Sequence, residues 1–262
     1  MNTLPENDRK ILRELARRKA EIAADPLNEE RRELWCALDE GRAPRPMILA
    51  EVGGVLDQTI PQAVLRCTSD TGRGIERGLK MAIFEFESIR DDHVQTADFR
   101  INWPIQVSDF GVQTTQHHAD NDGSLGARSW DAPLKNLSED CDRLKPRTFS
   151  VDRAGLDQQR AFYEELFGDI LEIRLRGSFW WTQGLTIQAI DLVGLEGLML
   201  AMYDDPEGLH RLMAFLRDEA LRLQDWTESE GLLTLNNEND YIGSGSMGYT
   251  HALPQPGADD GQ

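Results

Sequence analysis

Residues 170–237 hold the feature that most narrows what this chain can fold into. A stretch of alternating character, ILEIRLRG (170–177), leads through SFWWTQG (178–184) into a helical passage from Thr186 to Trp226, and LLTLNNEND (232–240) follows. A strand, a long helical crossover and a second strand predict parallel pairing, because a hairpin turn cannot return the chain in the same direction. In parallel sheets the chemistry gathers where strands end and loops begin. Here those ends are Gly177–Gly184 and Asn236–Gly248. Asp204-Asp205-Pro206 divides the helical passage in two, since proline opens a helix but does not sit inside one undistorted. Asp204 or Asp205 would cap the second helix, which turns Leu209, Leu212, Met213, Leu216, Ala220 and Leu223 inward.

The remaining chain supplies helices before strands. Asn7 or Asp8 is placed to cap a helix to about Ala24, with Ile11, Leu12, Leu15 and Ile22 on one side. Asp25-Pro26 breaks it, and LNEERRELWCALDEG forms a second helix that stops at Gly41, with Trp35 and Leu38 as its buried contacts. MILAEVGGV (47–55) offers a strand ending at Glu51, beside Gly53-Gly54. Helical spacing returns in 75–92, and TADFRINWPIQVSDFGV (96–112) reads as a strand interrupted at Trp103-Pro104. Residues 113–130 are polar and aperiodic and predict a long loop. Leu137–Leu144 predicts one or two helical turns, and Asp152 would cap a helix ending near Gly168, with Leu156, Phe162, Leu166 and Phe167 inside.

The expected strands, near 48–52, 99–107, 147–150, 170–176 and 232–237, number about four or five, against the eight that close a TIM-type barrel. The predicted fold is therefore α/β of TIM-barrel type, incomplete: an open sheet or the front portion of a longer barrel. Its expected organisation is an N-terminal helical extension with a possible first strand (1–95), a partial barrel (96–250) and a polar tail (251–262).

A formal net charge of −18 and a pI near 4.6 argue against nucleic acid or an anionic membrane as partner. The most apolar stretch, 187–202, is interrupted by Asp191 and Glu196, and the first residues lack the apolar core of a secretory signal. Cys36, Cys67 and Cys141 are odd in number and form no CxxC pair, so they predict reduced thiols and a cytoplasmic protein.

Several residues carry candidate chemistry. Asn236-Asn237-Glu238-Asn239-Asp240 ends an expected buried strand, where amides and acids need partners. Glu238 is the candidate acid or base, Asn237 its orienting group, and Asp240 a substrate contact; the alternative is a solvated turn. The loop His117-His118-Ala119-Asp120-Asn121-Asp122 gathers nitrogen and oxygen donors that can exchange protons or meet a metal. Adjacent histidines on an extended chain point apart, so no metal set is assigned; His117 is the catalytic candidate, and the alternative is a solvated surface loop. Trp180 and Trp181 at a strand end would wall a flat pocket, or would plug the fold as plain packing. Glu51 is a candidate for the same strand-end reason. His210 reads as an ordinary helix-face residue, and GSGSMG (243–248) is a weak anion-binding signal.

Gly177-Ser178-Phe179, Gly194-Leu195-Glu196, Asp205-Pro206-Glu207 with His210, and DRLKPRTFSVD (142–152) together resemble the uroporphyrinogen decarboxylase superfamily, which includes corrinoid-linked methyltransferases. The resemblance covers roughly Asp98 to Thr250. It implies a lyase or one-carbon transferase acting on a tetrapyrrole-like or small methylated substrate, with no cofactor held by this segment. Where the heme-pathway members carry an Arg-Gln-Ala-Gly-Arg turn, this chain has MILAEVGGV. Where they carry a pyrrole-binding aspartate, RINWP offers Asn102, the matching substrate-contact candidate. A methyltransferase would imply zinc or corrinoid, with a corrinoid protein as partner. A third expectation is a non-catalytic or truncated subunit that pairs with a partner or with itself to cover an open sheet edge.

Overall fold

The computed structural model describes residues 4–118, 128–177 and 184–254. In chain order its helices are α1 (Glu6–Ala23), α2 (Pro26–Asp39), α3 (Leu56–Thr59), α4 (Asp70–Phe84), α5 (Leu137–Asp140), α6 (Arg153–Phe167), α7 (Thr186–Val193), α8 (Leu195–Asp204) and α9 (Pro206–Ser229). Its strands are β1 (Asp98–Ile101), β2 (Ile105–Val107), β3 (Thr115–His118), β4 (Arg128–Asp131), β5 (Phe149–Val151), β6 (Glu172–Leu175), β7 (Tyr241–Gly243) and β8 (Ser246–Met247). This is a mixed α/β chain, mostly helical, with short strands. They pair two by two, and no closed barrel is present among the described residues.

Two compact units divide the chain. Unit 1 takes Met1–Trp103, Arg153–Trp181 and Thr234–Gln262, and unit 2 takes Pro104–Asp152 and Thr182–Leu233. The units thus interleave along the sequence.

Unit 1 is built on a parallel pair, β1 with β6, in the register Asp98↔Glu172, Phe99↔Ile173, Arg100↔Arg174 and Ile101↔Leu175. Side chains alternate across a strand, so Phe99, Ile101, Ile173 and Leu175 share one face and Asp98, Arg100, Glu172 and Arg174 the other. The apolar face joins Ile11, Leu12 and Ala16 of α1, Leu79 of α4 and Leu156, Leu166 and Phe167 of α6. Phe99 packs with its ring centroid 4.5 Å from that of Tyr163 and 5.1 Å from that of Phe167.

Helices α1 and α4 pack together, and one carboxylate stitches that junction. Asp8 is fully buried and accepts from the backbone N–H and hydroxyl of both Thr68 and Ser69. It therefore serves the α1–α4 junction, while Pro5 occupies the N-cap position of α1. Ser69 in turn caps α4 by accepting from the Gly72 N–H at 3.1 Å. Asp25 accepts from the Leu27 N–H and Pro26 opens α2, as the sequence predicts. Trp35 is buried and donates to the Asp92 carbonyl at 2.9 Å. Leu38, expected inside, is exposed.

Unit 2 pairs β2 with β5 and β3 with β4, both antiparallel. Its core gathers Leu134, Leu137 and Leu144 with Ala189, Leu192, Leu198, Leu209, Leu212 and Leu216 of the helices. Asp205 caps α9 through the Gly208 N–H at 2.9 Å, with Pro206 at its first turn. A further break, which the sequence reading lacked, separates α7 from α8 at Gly194, where φ is +78°. A side chain is strained there, which is why glycine holds the position. No single helix is long and apolar enough to cross a membrane among the described residues, and α7 and α8 meet at 95°.

Three strand expectations change. The predicted strand 99–107 becomes β1 and β2, in different sheets, because Pro104 cannot donate to a ladder. Residues 48–52 form no strand. Their backbone is held by acids instead, with Ile48 N–H donating to Asp92 Oδ2 at 2.8 Å and Ala50 N–H to Asp91 Oδ2 at 2.6 Å. Residues 232–240 also form no strand, and β6 finds its parallel neighbour in β1. Asn and Asp side chains compete for backbone groups, and here the Glu238 N–H donates to Asp240 Oδ2 at 3.1 Å while Arg100 Nη1 takes the Asn239 carbonyl at 2.8 Å.

Candidate arginine-lined cleft

The polar face of the β1–β6 pair carries Arg100 and Arg174 in register, and Arg176 continues the alternation one step beyond β6. Like charges side by side repel, so the face needs acids. Residues 238–240 supply them. Glu238 Oε2 accepts from Arg174 Nη2 at 2.7 Å and lies 3.5 Å from Arg176 Nη1. Asp240 accepts from Arg100 Nη1 at 2.8 Å and pairs with Arg176 Nη2. Asp98 accepts from Arg100 Nε at 2.9 Å and lies 3.9 Å from the Lys19 ammonium. Burial pushes the Asp98 carboxyl up, but the Thr96 hydroxyl, Arg100 and Lys19 outweigh it and hold it below the usual range.

Three guanidiniums (Arg100, Arg174, Arg176) thus meet three enclosed carboxylates (Asp98, Glu238, Asp240), with Lys19 at the outer side of Asp98. Glu172, 72% exposed and 3.9 Å from Arg174, is solvated and adds little to this network.

A cleft of about 300 Å³ opens beside this network, lined by Arg32 of α2, Arg100, Arg174, Asn237, Glu238 and Tyr249, among others. Asn237 and Tyr249 are 3% and 5% exposed. Asn237 Oδ1, the Tyr249 hydroxyl and Arg100 Nη2 have no hydrogen-bond partner among the described residues. An unsatisfied buried polar group costs about 1–3 kcal/mol, so three at one place call for a reason. Arg32 lies 5.9 Å over the Tyr249 ring, close enough to favour the phenolate yet outside hydrogen-bonding geometry. Burial prevails and raises the Tyr249 hydroxyl, so this group stays a neutral donor.

The structure brings three sequence candidates to this place and sets others apart. Asn237 and Glu238 line the cleft, and Asp240 stands behind the arginines. Glu238 is engaged by two guanidiniums, which suits a carboxylate that holds arginines in position. Glu51 instead pins the β7–β8 hairpin, its Oε1 accepting from the Tyr241 hydroxyl at 2.6 Å and the Gly245 N–H at 2.9 Å. Those donors, the Tyr241 hydroxyl first, hold its carboxyl below the usual range. Asn102 is exposed just past β1 and does not line the cleft. His117 belongs to unit 2, where its Nε2 lies 2.8 Å from Asp131 Oδ2 on the β3–β4 ribbon, both exposed. Trp180 and Trp181 lie outside the described residues. So does most of the His117–Asp122 loop.

Sequence reading passed over Arg100, Arg174, Arg176 and Tyr249. The signal for the first three was present: charged residues at alternate positions in DFRI and EIRLR mark one charged strand face. Tyr249 carried none. Among the described residues no group of three or more His, Cys, Asp or Glu side chains could hold a metal ion. The three cysteines are free thiols. Burial, then Glu76, pushes the Cys67 thiol up to about 12, and burial raises Cys36 and Cys141 as well.

Comparison with protein families, with curated proteins and with solved structures finds no match to this chain.

Proposed function

We propose that the arginine-lined cleft of unit 1 binds a small anionic substrate through its carboxylate. In this reading the chain is a uroporphyrinogen decarboxylase-like protein on the one-carbon-transfer side of that superfamily, acting on a small methylated acid with a corrinoid protein as partner. The observation that carries the reading is the run of guanidiniums on the Arg100–Arg174–Arg176 face beside three unpartnered buried polar groups. A carboxylate accepts from guanidinium N–H groups in fork geometry, and an adjacent O–H or N–H would satisfy Asn237 Oδ1. Volume favours the smaller substrate. About 300 Å³ lies at the lower end of ligand pockets, which run roughly 300–1,000 Å³. That space suits a small acid and is too little for a whole tetrapyrrole.

One observation favours the decarboxylase alternative: several arginines on one strand face also suit a substrate with many carboxylates. The two readings separate in a single assay. With a reduced corrinoid and N-methylated amino acids, methyl transfer gives a methylcobalt absorbance change, and the Arg174→Ala variant should lose about ten- to hundred-fold in substrate binding. Carbon dioxide release from uroporphyrinogen with no corrinoid present would replace the first reading with the second. Titration that shows no acid binding to folded protein would remove both.

A further inference from the structure

Unit 1 contains a second cavity, of about 450 Å³, whose lining sorts into two kinds of surface. One part is a connected polar patch. Lys19 donates to the Asp98 carbonyl, Arg100 holds the Asp98 carboxylate and the Asn239 carbonyl, and Asn239 Nδ2 reaches Thr96 Oγ1 at 3.4 Å. The other part is apolar. It consists of the Phe99 and Tyr163 rings with Ile75, Leu79 and a stripe of small residues on α4, Gly74, Gly78 and Ala82. Those three recur every four residues and so share a helix face. A Cβ added at Gly74 or Gly78 would meet nothing within 4 Å. The glycines thus keep open space in front of α4 in a helix that alanine would stabilise by about 1 kcal/mol per position.

Lys19 is the group that lacks a full set of partners. Its side chain is 14% exposed, and an ammonium carries three donors. One goes to the Asp98 carbonyl, and the Asp98 carboxylate stands off at 3.9 Å. Asn239 Oδ1, in the same patch, accepts from nothing among the described residues. The cavity therefore presents spare N–H donors of Lys19 beside an aromatic-walled apolar space. Burial lowers the Lys19 ammonium from its ordinary range although Asp98 opposes this, which fits a cation short of an acceptor.

We propose that this cavity, which shares Thr96 and Arg100 with the arginine-lined cleft, is a second binding site for a small carboxylic acid with a planar apolar body. The ammonium of Lys19 receives the carboxylate. The body lies along Gly74 and Gly78 against Phe99 and Tyr163. Nothing in this assignment depends on the reading of the cleft.

The test uses the full chain with 3-phenyllactate as probe, followed by titration calorimetry and ligand-observed NMR. Phenethyl alcohol, which keeps the ring and lacks the carboxylate, should bind about tenfold or more weakly, as should the probe to Lys19→Met. Gly78→Leu starts in open space, since an added Cβ meets nothing within 4 Å, and replaces a helix glycine, so it should melt near the wild-type temperature and lose the probe. Arg174→Ala should bind it as wild type does, which separates this site from the cleft. The proposal is overturned if folded Gly78→Leu binds the probe unchanged, if the alcohol binds as well as the acid, or if wild type binds none at millimolar concentration.

Discussion

Arg100 of β1 and Arg174 of β6 are direct register partners on parallel strands, two guanidiniums side by side on one sheet face. Such a pairing is unfavourable by itself. It is held by Asp98 on the first arginine, Glu238 on the second and Asp240 shared with Arg176. The segment 238–240 is therefore fixed by arginines it did not predict, and the arginines are tolerable because that segment covers them.

Removing one acid exposes the repulsion. Glu238→Gln should lower stability by about 1 kcal/mol, because the pair is only partly buried, with side chains 25% and 21% exposed. That corresponds to a fall of roughly 2–4 °C in melting temperature. The loss should shrink in high salt, which screens the arginines from each other. Melting curves of both proteins across a salt series check it, and an equal loss at every salt concentration would contradict the repulsion.

Two sets of groups set the pH window of stability from opposite sides. Asp8 and Glu76 are buried, and burial pushes both carboxyls up. Hydrogen bonds outweigh it, from Ser69 and Thr68 to Asp8 and from Lys80, Cys67 and Arg66 to Glu76, and hold both below their ordinary values of 3.8 and 4.5. A depressed carboxyl contributes stability above its unfolded value and loses it as pH falls further. His93 behaves oppositely. Burial lowers it, but Asp91 and Glu85 raise it above 6.5, so its contribution is complete below that pH and fades as pH rises past it. The melting temperature should peak between the two. Asp8→Asn should flatten the acid limb at a cost of about 1–3 kcal/mol, and His93→Gln the neutral limb, both read from melting temperature against pH.

Glycines in α4 should respond with opposite signs. Gly74→Ala enters open space and should stabilise by about 0.5–1 kcal/mol. At Gly72 an added Cβ would stand 2.7 Å from Asp8 Oδ2 and 2.8 Å from Ser69 Oγ. Gly72→Ala should therefore push apart the α1–α4 junction and cost about 1–3 kcal/mol. Denaturant midpoints of the two variants, one above and one below wild type, are the expected result.

Thiol chemistry should follow exposure. Cys36 and Cys67 are buried and Cys141 is half-buried, and the Cys67 thiol is pushed up to about 12. Iodoacetamide at neutral pH should label Cys141 first and Cys67 only as the protein opens. Peptide mass spectrometry over time gives the order. Early labelling at Cys67 would show that the α1–α4 junction is not closed.

Local chemistry was legible in the sequence. Asp25-Pro26 and Asp205-Pro206 start α2 and α9 where predicted, since a cap and a proline act within a few residues. Pro104 ends a ladder for the same reason, and alternating apolar residues mark β1 and β6 as strands. What the sequence left open was partnership at a distance. The parallel neighbour of β6 is β1, 70 or more residues earlier in the chain, and not the stretch after α9. That choice depends on which surfaces bury each other, and on asparagines and acids in 236–240 that bond arginines and their own backbone in place of a ladder. The unpartnered Asn237, Tyr249 and Asn239 follow from it: a side chain's type is written locally, but whether its polar atom finds a partner is decided only when distant segments close around it.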